Sequence, residues 1–333
     1  MIINYKKTLH KILLPYLKKL SSPYLNLNKF LRQAEELALF IPFELSRAIV
    51  NFRHVGNNEG CLLIKNLLLD PKIPETPNVK VVSKKTFYSE GYLAAISFLL
   101  GDPYGYQQES NGDLIHNLFP SQKNQLKQSS DSSKANLEFH TEIVFHPFTP
   151  DFLILLCLRQ DPDKKAETIV SSIRNVLAKN LLSQSDIDIL RKPIYRTGID
   201  YSFGNINNAK GNGPTMACLY GDNLDQLLSF DLDLMIGLTP EANSALLKLK
   251  EALQAVSVGI KLECGDLIII DNRRVIHGRT PFPAYFDGQD RWLQRCLVSR
   301  NLQQAEILFE KKEQIISFTN FEHIKVINRS VYE

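Results

Sequence analysis

Apolar residues recur at helical steps in the first part of the chain. Phe30, Leu31, Ala34, Leu37, Ala38 and Phe40 form one set, and after Pro42 a second carries Leu45, Ala48 and Ile49. The pattern predicts a helical preface over residues 1–56, with Pro15 kinking or restarting its first helix. From Gly60 the period changes to short continuous apolar runs between turn residues: CLLIKNLLL before Asp70 and Pro71, FLILLCL after Pro150 and Asp151, and DLIIID after Cys264 and Gly265. Such runs predict strands of a buried sheet. Helical periodicity returns over residues 92–100, 171–180 with a charged continuation to 191, and 240–256. Strands with inserted helices, without regular alternation or an internal repeat, predict one compact unit of mixed structure, the preface 1–56 packing on a core of 57–333. Residues 121–133 (SQKNQLKQSSDSS) are polar and turn-rich and run into an expected strand at 136–146 (NLEFHTEIVFH), so they are expected to form a mobile lid.

Composition narrows the classes. With 333 residues, 44% hydrophobic and 23% charged, the chain is neither disordered nor fibrous. Lys and Arg number 39 against 36 Asp and Glu, a net charge of +3 with no basic block, so no nucleic acid partner is expected. Five scattered cysteines without C-x-x-C spacing argue against a disulfide framework or a thiolate zinc site, and fit a reducing cytoplasm. Apolar stretches fall well short of the ~18 residues that span a bilayer. At the N-terminus Lys6, Lys7, Lys11, Lys18 and Lys19 interleave with Leu9, Leu13, Tyr16, Leu17 and Leu20, which reads as a helix packing its apolar stripe inward rather than as a membrane contact.

The chemistry concentrates in two segments. On the expected strand 136–146, His140 and Glu142 are two residues apart, so their side chains share a face. Far downstream, LIIIDNRRVIHGRTPF carries His277 just past an apolar strand. Two histidines and a carboxylate on one face of a six-coordinate ion leave three positions open, the arrangement of non-haem Fe(II) oxygenases. The same donors with one open position also describe catalytic zinc, and a jelly-roll binding module with a structural metal would carry them too. Zinc hydrolysis gives no role to Arg291, fourteen residues after His277, and the sequence lacks the helical H-E-x-x-H spacing. In an extended strand Arg291 and Arg295 share a face, and guanidinium groups recognise carboxylates in a planar, bidentate way.

The segments LEFHTEIVFHPFTPDFLILLCLRQDPDKKAET, FDLDLM and GDLIIIDNRRVIHGRTPFPAYFDGQDRWLQR closely resemble the clavaminate synthase-like branch of Fe(II)/2-oxoglutarate-dependent oxygenases, which includes L-arginine, L-lysine and L-asparagine hydroxylases. The resemblance runs from about Gly60 to Leu302; the N-terminal helices and the tail after Asn301 add nothing to it. It implies a mainly β fold with added helices, a double-stranded β-helix or jelly roll. It also implies a small-molecule amino acid substrate, most readily a basic one, hydroxylated at an unactivated carbon with 2-oxoglutarate and O2 as co-substrates. An asparagine-type or carrier-bound substrate is the alternative.

Carried onto this chain, the resemblance implies that His140, Glu142 and His277 ligate Fe(II) and that Arg291 pairs with the distal carboxylate of 2-oxoglutarate, helped by the Thr168 hydroxyl. Arg295 would sit near the iron-bound end of the co-substrate or the substrate carboxylate. Asp231 and Asp233 in FDLDLM would face a guanidinium or amine, although two carboxylates at i and i+2 also describe a solvated turn. Gln108, or Glu109 in a shifted register, and Ser130 would hold the amino acid's charged ends. The sequence departs from the family here: Gln-Glu-Ser-Asn-Gly stands where relatives keep a glutamine nearer the glycine, and SSDSS replaces a Thr/Ser-Gly-Ser form. His146 is expected to be structural, packing beside Pro147 and Phe148.

Overall fold

The computed structural model describes residues 1–4, 10–78, 84–200, 203, 209–308, 310–312, 314–317 and 326–327. The first half of the chain runs β1 (Ile2–Asn4), α1 (His10–Leu17), α2 (Leu27–Leu39), α3 (Phe43–Val55), β2 (Cys61–Lys65), α4 (Tyr88–Leu100), β3 (Asp102–Tyr106), β4 (Ile115–Leu118), β5 (Leu137–His140), β6 (Phe152–Arg159) and β7 (Thr168–Ser172). Then follow α5 (Ile173–Ala178), α6 (Gln184–Leu190), β8 (Tyr195–Arg196), β9 (Thr215–Met216), β10 (Leu219–Gly221), β11 (Gln226–Leu228), β12 (Ile236–Gly237) and α7 (Pro240–Ala255). The last elements are β13 (Val258–Ile260), β14 (Leu267–Asp271), β15 (Val275–Arg279), β16 (Trp292–Ser299), α8 (Gln303–Leu308), β17 (Glu310–Lys312) and β18 (Ile315–Ser317).

Nine strands make the main sheet in the order β1-β2-β14-β6-β16-β3-β18-β17, with β4 also pairing β16; a second sheet has the order β13-β7-β15-β5. The apolar runs of β2, β6 and β14 are continuous because both faces of the main sheet are covered. Leu62, Ile64, Phe152, Ile154, Leu156, Leu267 and Ile269 point to one cluster, shared with α1 to α4. Their neighbours Leu63, Leu153, Leu155, Ile268 and Ile270 point the other way, where Val170 of β7 and Val275 of β15 close an inner cluster between the two sheets. Ile276 faces the back of the second sheet, against Val176, Leu190, Leu249 and Leu253 of α5 to α7. The result is helices, sheet, sheet, helices: a jelly roll with both outer faces clad. Local chemistry starts the helices, as with the Asn26 side chain accepting from Lys29 N–H ahead of α2 and Thr239 capping α7 with Pro240 at its first position.

Several expectations need correcting. The chain opens on a strand, with Ile2–Asn4 lying parallel to β2, and Pro15 is accommodated within α1, whose Leu13 and Leu17 are buried. Lys6, Lys7 and Leu9 lie outside the described residues. The tail after Asn301, on which the resemblance is silent, extends the main sheet, because β18 pairs in parallel with β3. Residues 121–133 form a hydrogen-bonded turn system: the Gln125 carbonyl accepts from the N–H of residues 133, 134 and 135 at 3.3, 2.9 and 3.0 Å, and the Asp131 carboxylate accepts from Asn124 Nδ2 and Ser129 Oγ. Among the described residues no helix is long and apolar enough to cross a membrane.

Candidate metal centre and its surroundings

His140 ends β5 and His277 lies in β15, and antiparallel pairing puts them directly opposite one another, their ring centroids 4.4 Å apart. Glu142 arrives differently from the sequence expectation, because β5 stops at His140 and no strand continues to 146. The Thr141 N–H donates to the Phe230 carbonyl, the Glu142 N–H donates to Asn272 Oδ1 at 2.7 Å, and Ile143 takes a left-handed φ of 53°. Asn272, in the turn between β14 and β15, also donates to the carbonyls of Glu142 and Pro150, replacing the bonds a strand would have made. One donor atom from each of His140, Glu142 and His277 then lies within 4.8 Å of the others.

The donor chemistry fits a divalent iron ion. His140 Nδ1 lies 2.8 Å from the Glu138 carbonyl, which fixes the ring and leaves Nε2 as the free donor. His277 Nε2 is 3.3 Å from Glu142 Oε2, while its Nδ1 is buried without a hydrogen-bond partner among the described residues. Burial and the nearby His140 lower the His277 pKa, outweighing Glu142, which favours the neutral imidazole, the form able to bind a metal. Burial alone would raise the Glu142 pKa, but Arg295 and the two histidines hold it well below the usual carboxylate range.

Arg295 is engaged on the protein side. Its Nη1 donates to Glu142 Oε1 at 2.5 Å, and its Nη2 reaches Glu109 Oε1 and Oε2 at 3.0 and 3.1 Å and His116 Nδ1 at 2.6 Å. Burial would lower its pKa, but Glu109 and Glu142 raise it, so the charge is fixed. Neither Glu109, weighed only as a register alternative, nor His116 carries a recognisable motif; His116 is found through β4, where it pairs opposite Arg295.

Arg291 precedes β16 and is buried, with Nη2 3.5 Å from Thr168 Oγ1 and the guanidinium carbon 5.7 Å from the Phe282 ring centroid. Burial lowers its pKa, and among the described residues no carboxylate lies within salt-bridge distance of it. Arg279 covers the same ring at 5.0 Å and donates to Ser132 Oγ at 2.8 Å and the Ala135 carbonyl at 3.2 Å. Burial and then Arg291 bring it down to about 9. Its signal was legible, since the second residue after His277 on a strand faces the same way.

On the other side of the histidine pair, Asp231 forms an isolated bridge with His140, is buried, and accepts from Leu234 N–H at 2.8 Å. Asp233 is half-buried. Asp200, which no local motif announced, lies in electrostatic reach of Asp231, Glu142 and Glu109; burial first, then those carboxylates, push its pKa well up. Burial also raises Asp231. Gln108 is half-buried, and Ser130 is exposed with its carbonyl, rather than its hydroxyl, facing Arg279 Nη1 at 3.5 Å. His146 is fully buried, with Nδ1 3.0 Å from the Phe148 N–H and its ring 4.7 Å from that of Tyr106.

Comparison with known proteins gives consistent matches. Residues 89–297 match the family described as taurine catabolism dioxygenase TauD, TfdA family. The chain is 35% identical over 306 residues to clavaminate synthase 2 of Streptomyces clavuligerus, covering 89% of this chain and 91% of that protein. It is 36% identical over 279 residues to the L-lysine 3-hydroxylase of Catenulispora acidiphila, covering 81% and 75%. A solved structure of asparagine oxygenase with Fe(II), 2S,3S-3-hydroxyasparagine and succinate superposes with a TM-score of 0.86 at 30% identity, covering 95% of this chain and 99% of that one.

Proposed function

The chain belongs to the TauD/TfdA family of Fe(II)- and 2-oxoglutarate-dependent dioxygenases, within the clavaminate synthase-like branch, and on that premise we propose that it hydroxylates an unactivated carbon of a free basic amino acid of the L-arginine or L-lysine type. His140, Glu142 and His277 are the iron ligands in this reading. Iron(II) bound there with 2-oxoglutarate and O2 supplies oxidation of an unactivated C–H bond, releasing succinate and CO2. Arg291 and Thr168 hold the distal carboxylate of the co-substrate, and Phe282 walls the guanidinium off from water. Arg295 holds the oxygen of Glu142 that does not face His277 and so sets the carboxylate's orientation. Gln108 and Ser130 remain assigned to the substrate's charged ends, with Glu109 the alternative in that register.

The observation that carries the basic-substrate reading is the pairing of Asp231 and Asp200 beside His140, with no lysine or arginine within 4 Å of either among the described residues. Asp231 is buried and Asp200 half-buried, and Arg295, the cation in electrostatic reach of Asp200, is already bound to Glu109 and Glu142, so a guanidinium or ammonium group entering next to the iron site is the ligand the two carboxyls favour, with Asp233 at the rim. The test is succinate formation and product mass across the protein amino acids, ornithine and homoarginine. A gain of about 16 mass units on arginine or lysine is expected, abolished in His277→Ala and lost for cationic substrates in Asp231→Asn. Hydroxylated asparagine with untouched arginine and lysine would replace this reading by the asparagine type. Succinate without any modified free amino acid would point to a carrier-bound one.

A further inference from the structure

Arg291 lies one residue before β16, outside the ladder bonds that orient the side chains after it, yet its guanidinium is set against Thr168 and the Phe282 ring. The peptide just before it is held from another part of the chain. Thr76, in the long connection between β2 and α4, is buried; its Oγ1 donates to the Asp290 carbonyl at 2.5 Å, and its N–H donates to the Gly288 carbonyl at 2.8 Å. Arg159, at the end of β6 opposite Trp292, holds Thr76 in turn. Its Nη1 donates to Thr76 Oγ1 at 2.5 Å and to the Gly288 carbonyl at 3.0 Å, and its Nη2 donates to the Pro74 carbonyl at 3.0 Å. The Asp290 carboxylate accepts from the N–H of Tyr285 and Phe286 at 2.7 and 2.6 Å, closing a turn in which Phe286 and Gly288 take left-handed φ values of 58° and 86°. The carbonyl gripped by Thr76 belongs to the peptide that carries the Arg291 nitrogen, so the grip sets the plane from which the Arg291 side chain departs.

We propose that Thr76, braced by Arg159, is a positioning residue for Arg291, and that this clamp sets the length of 2-oxo diacid the enzyme accepts. The inference rests on the reading of Arg291 as the anchor of the distal carboxylate. With iron held by His140, Glu142 and His277, a guanidinium kept in one place relative to those donors would suit a five-carbon diacid over a six-carbon one, and releasing the peptide would remove that discrimination. Gln294, by contrast, points from the other face of β16 to Glu90 and Asn117, and plays no part in the clamp.

The experiment measures binding of 2-oxoglutarate and 2-oxoadipate to the iron-loaded enzyme under argon by calorimetry, alongside kcat, KM and Tm, in Thr76→Val, Thr76→Ser and Arg291→Lys. Thr76→Val is expected to weaken 2-oxoglutarate about tenfold while leaving 2-oxoadipate nearly unchanged. Saturating kcat and the amino acid KM should stay near the parent values, Tm should fall by a few degrees because two buried partners of Thr76 Oγ1 are stranded, and Thr76→Ser should restore both Tm and 2-oxoglutarate binding. If Thr76→Val does not fold, Arg159→Gln carries the same expectation. Parent-like 2-oxoglutarate binding in Thr76→Val with loss in Arg291→Lys overturns the clamp and leaves the anchor. A uniform fall in Tm, kcat and both affinities overturns it as mere structural support. Unchanged binding in Arg291→Lys sinks the anchor reading itself and the clamp with it.

Discussion

Asn272 carries more of the site's geometry than its place in a turn suggests. One side chain satisfies the N–H and carbonyl of Glu142 and the carbonyl of Pro150, all in a buried setting. Asn272→Ala strands these groups, at about 1–3 kcal/mol for each that finds no water. The expected outcome is a loss of roughly 3 kcal/mol in urea unfolding together with weaker iron binding, and Asn272→Asp, which keeps the acceptor for Glu142 N–H but turns a carboxylate oxygen towards two buried carbonyls, should lose at least as much. Cys264 gives a second residue-scale expectation. It is exposed, and the adjacent Cys157 thiol, against the effect of burial, brings it down to about 6. Cys61, Cys157, Cys218 and Cys296 are buried with thiols pushed up by burial, in Cys157 chiefly by its partner Cys264. Because the thiolate reacts, alkylation should begin at Cys264 and rise as the pH passes through about 6, with the other four inert until unfolding. Peptide mass mapping of iodoacetamide-treated protein at pH 5 and 7 checks it; equal labelling of all five would refute it. Residue by residue, the histidines and the glutamate were legible because H-x-E and a distant His-Gly-Arg are side-chain statements. How Glu142 reaches them was not, since the alternation argument assumed a strand that Asn272 interrupts.

At the scale of elements, α4 is tied down by charge as well as by its apolar faces. Lys84 Nζ, fully buried just before the helix, donates to Asp70 Oδ2 at 2.8 Å, Glu90 Oε2 at 2.7 Å and Ser89 Oγ at 2.5 Å. Asp70 also accepts from the N–H of Tyr88 and Ser89, and Glu90 Oε1 accepts from Gln294 Nε2 on β16. The connection from β2, the first turn of α4 and the central strand of the main sheet therefore meet in one buried network. Lys84→Met leaves two carboxylates without their cation, and breaking a buried pair from one side costs about 3–5 kcal/mol. Denaturant midpoints should fall accordingly; a change under 1 kcal/mol would mean that water reaches the cluster. The sequence revealed the long strands, since β6 and β14 are unbroken apolar runs and α7 carries its cap and proline. It did not reveal the two-residue strands β8, β9 and β12, which are too short for any period, nor β1, whose Ile2 and Ile3 read equally well as the start of a helix. The small β8, β9 and β12 sheet depends on chain returns from distant segments.

For the molecule as a whole, the question is whether residues 1–56 are an appendage or a wall. Eleven of them, from Leu13 and Leu17 through Phe30, Leu37 and Ile49 to Phe52, are buried in the cluster that covers the outer face of the main sheet. Gly91 of α4 lets them approach closely, since a Cβ there would stand 2.3 Å from a Leu20 methyl and 3.5 Å from one of Leu17. Each large apolar side chain buried there is worth about 1.5–3 kcal/mol, set against the entropy of ordering the segment, so the segment holds its place only while its apolar stripe stays on the sheet and α4. Its removal also uncovers Leu62, Ile64 and Ile269 on the outer face of the main sheet and strips β1 from the edge beside β2. We expect the fragment 57–333 to be insoluble or aggregated rather than a working catalytic core, and Phe30→Ala in the full chain to lose about 3–5 kcal/mol with unchanged KM for 2-oxoglutarate. A monomeric, iron-binding 57–333 fragment by size exclusion would show instead that the helices are dispensable cladding, and that α4 alone suffices to cover the sheet behind the iron site.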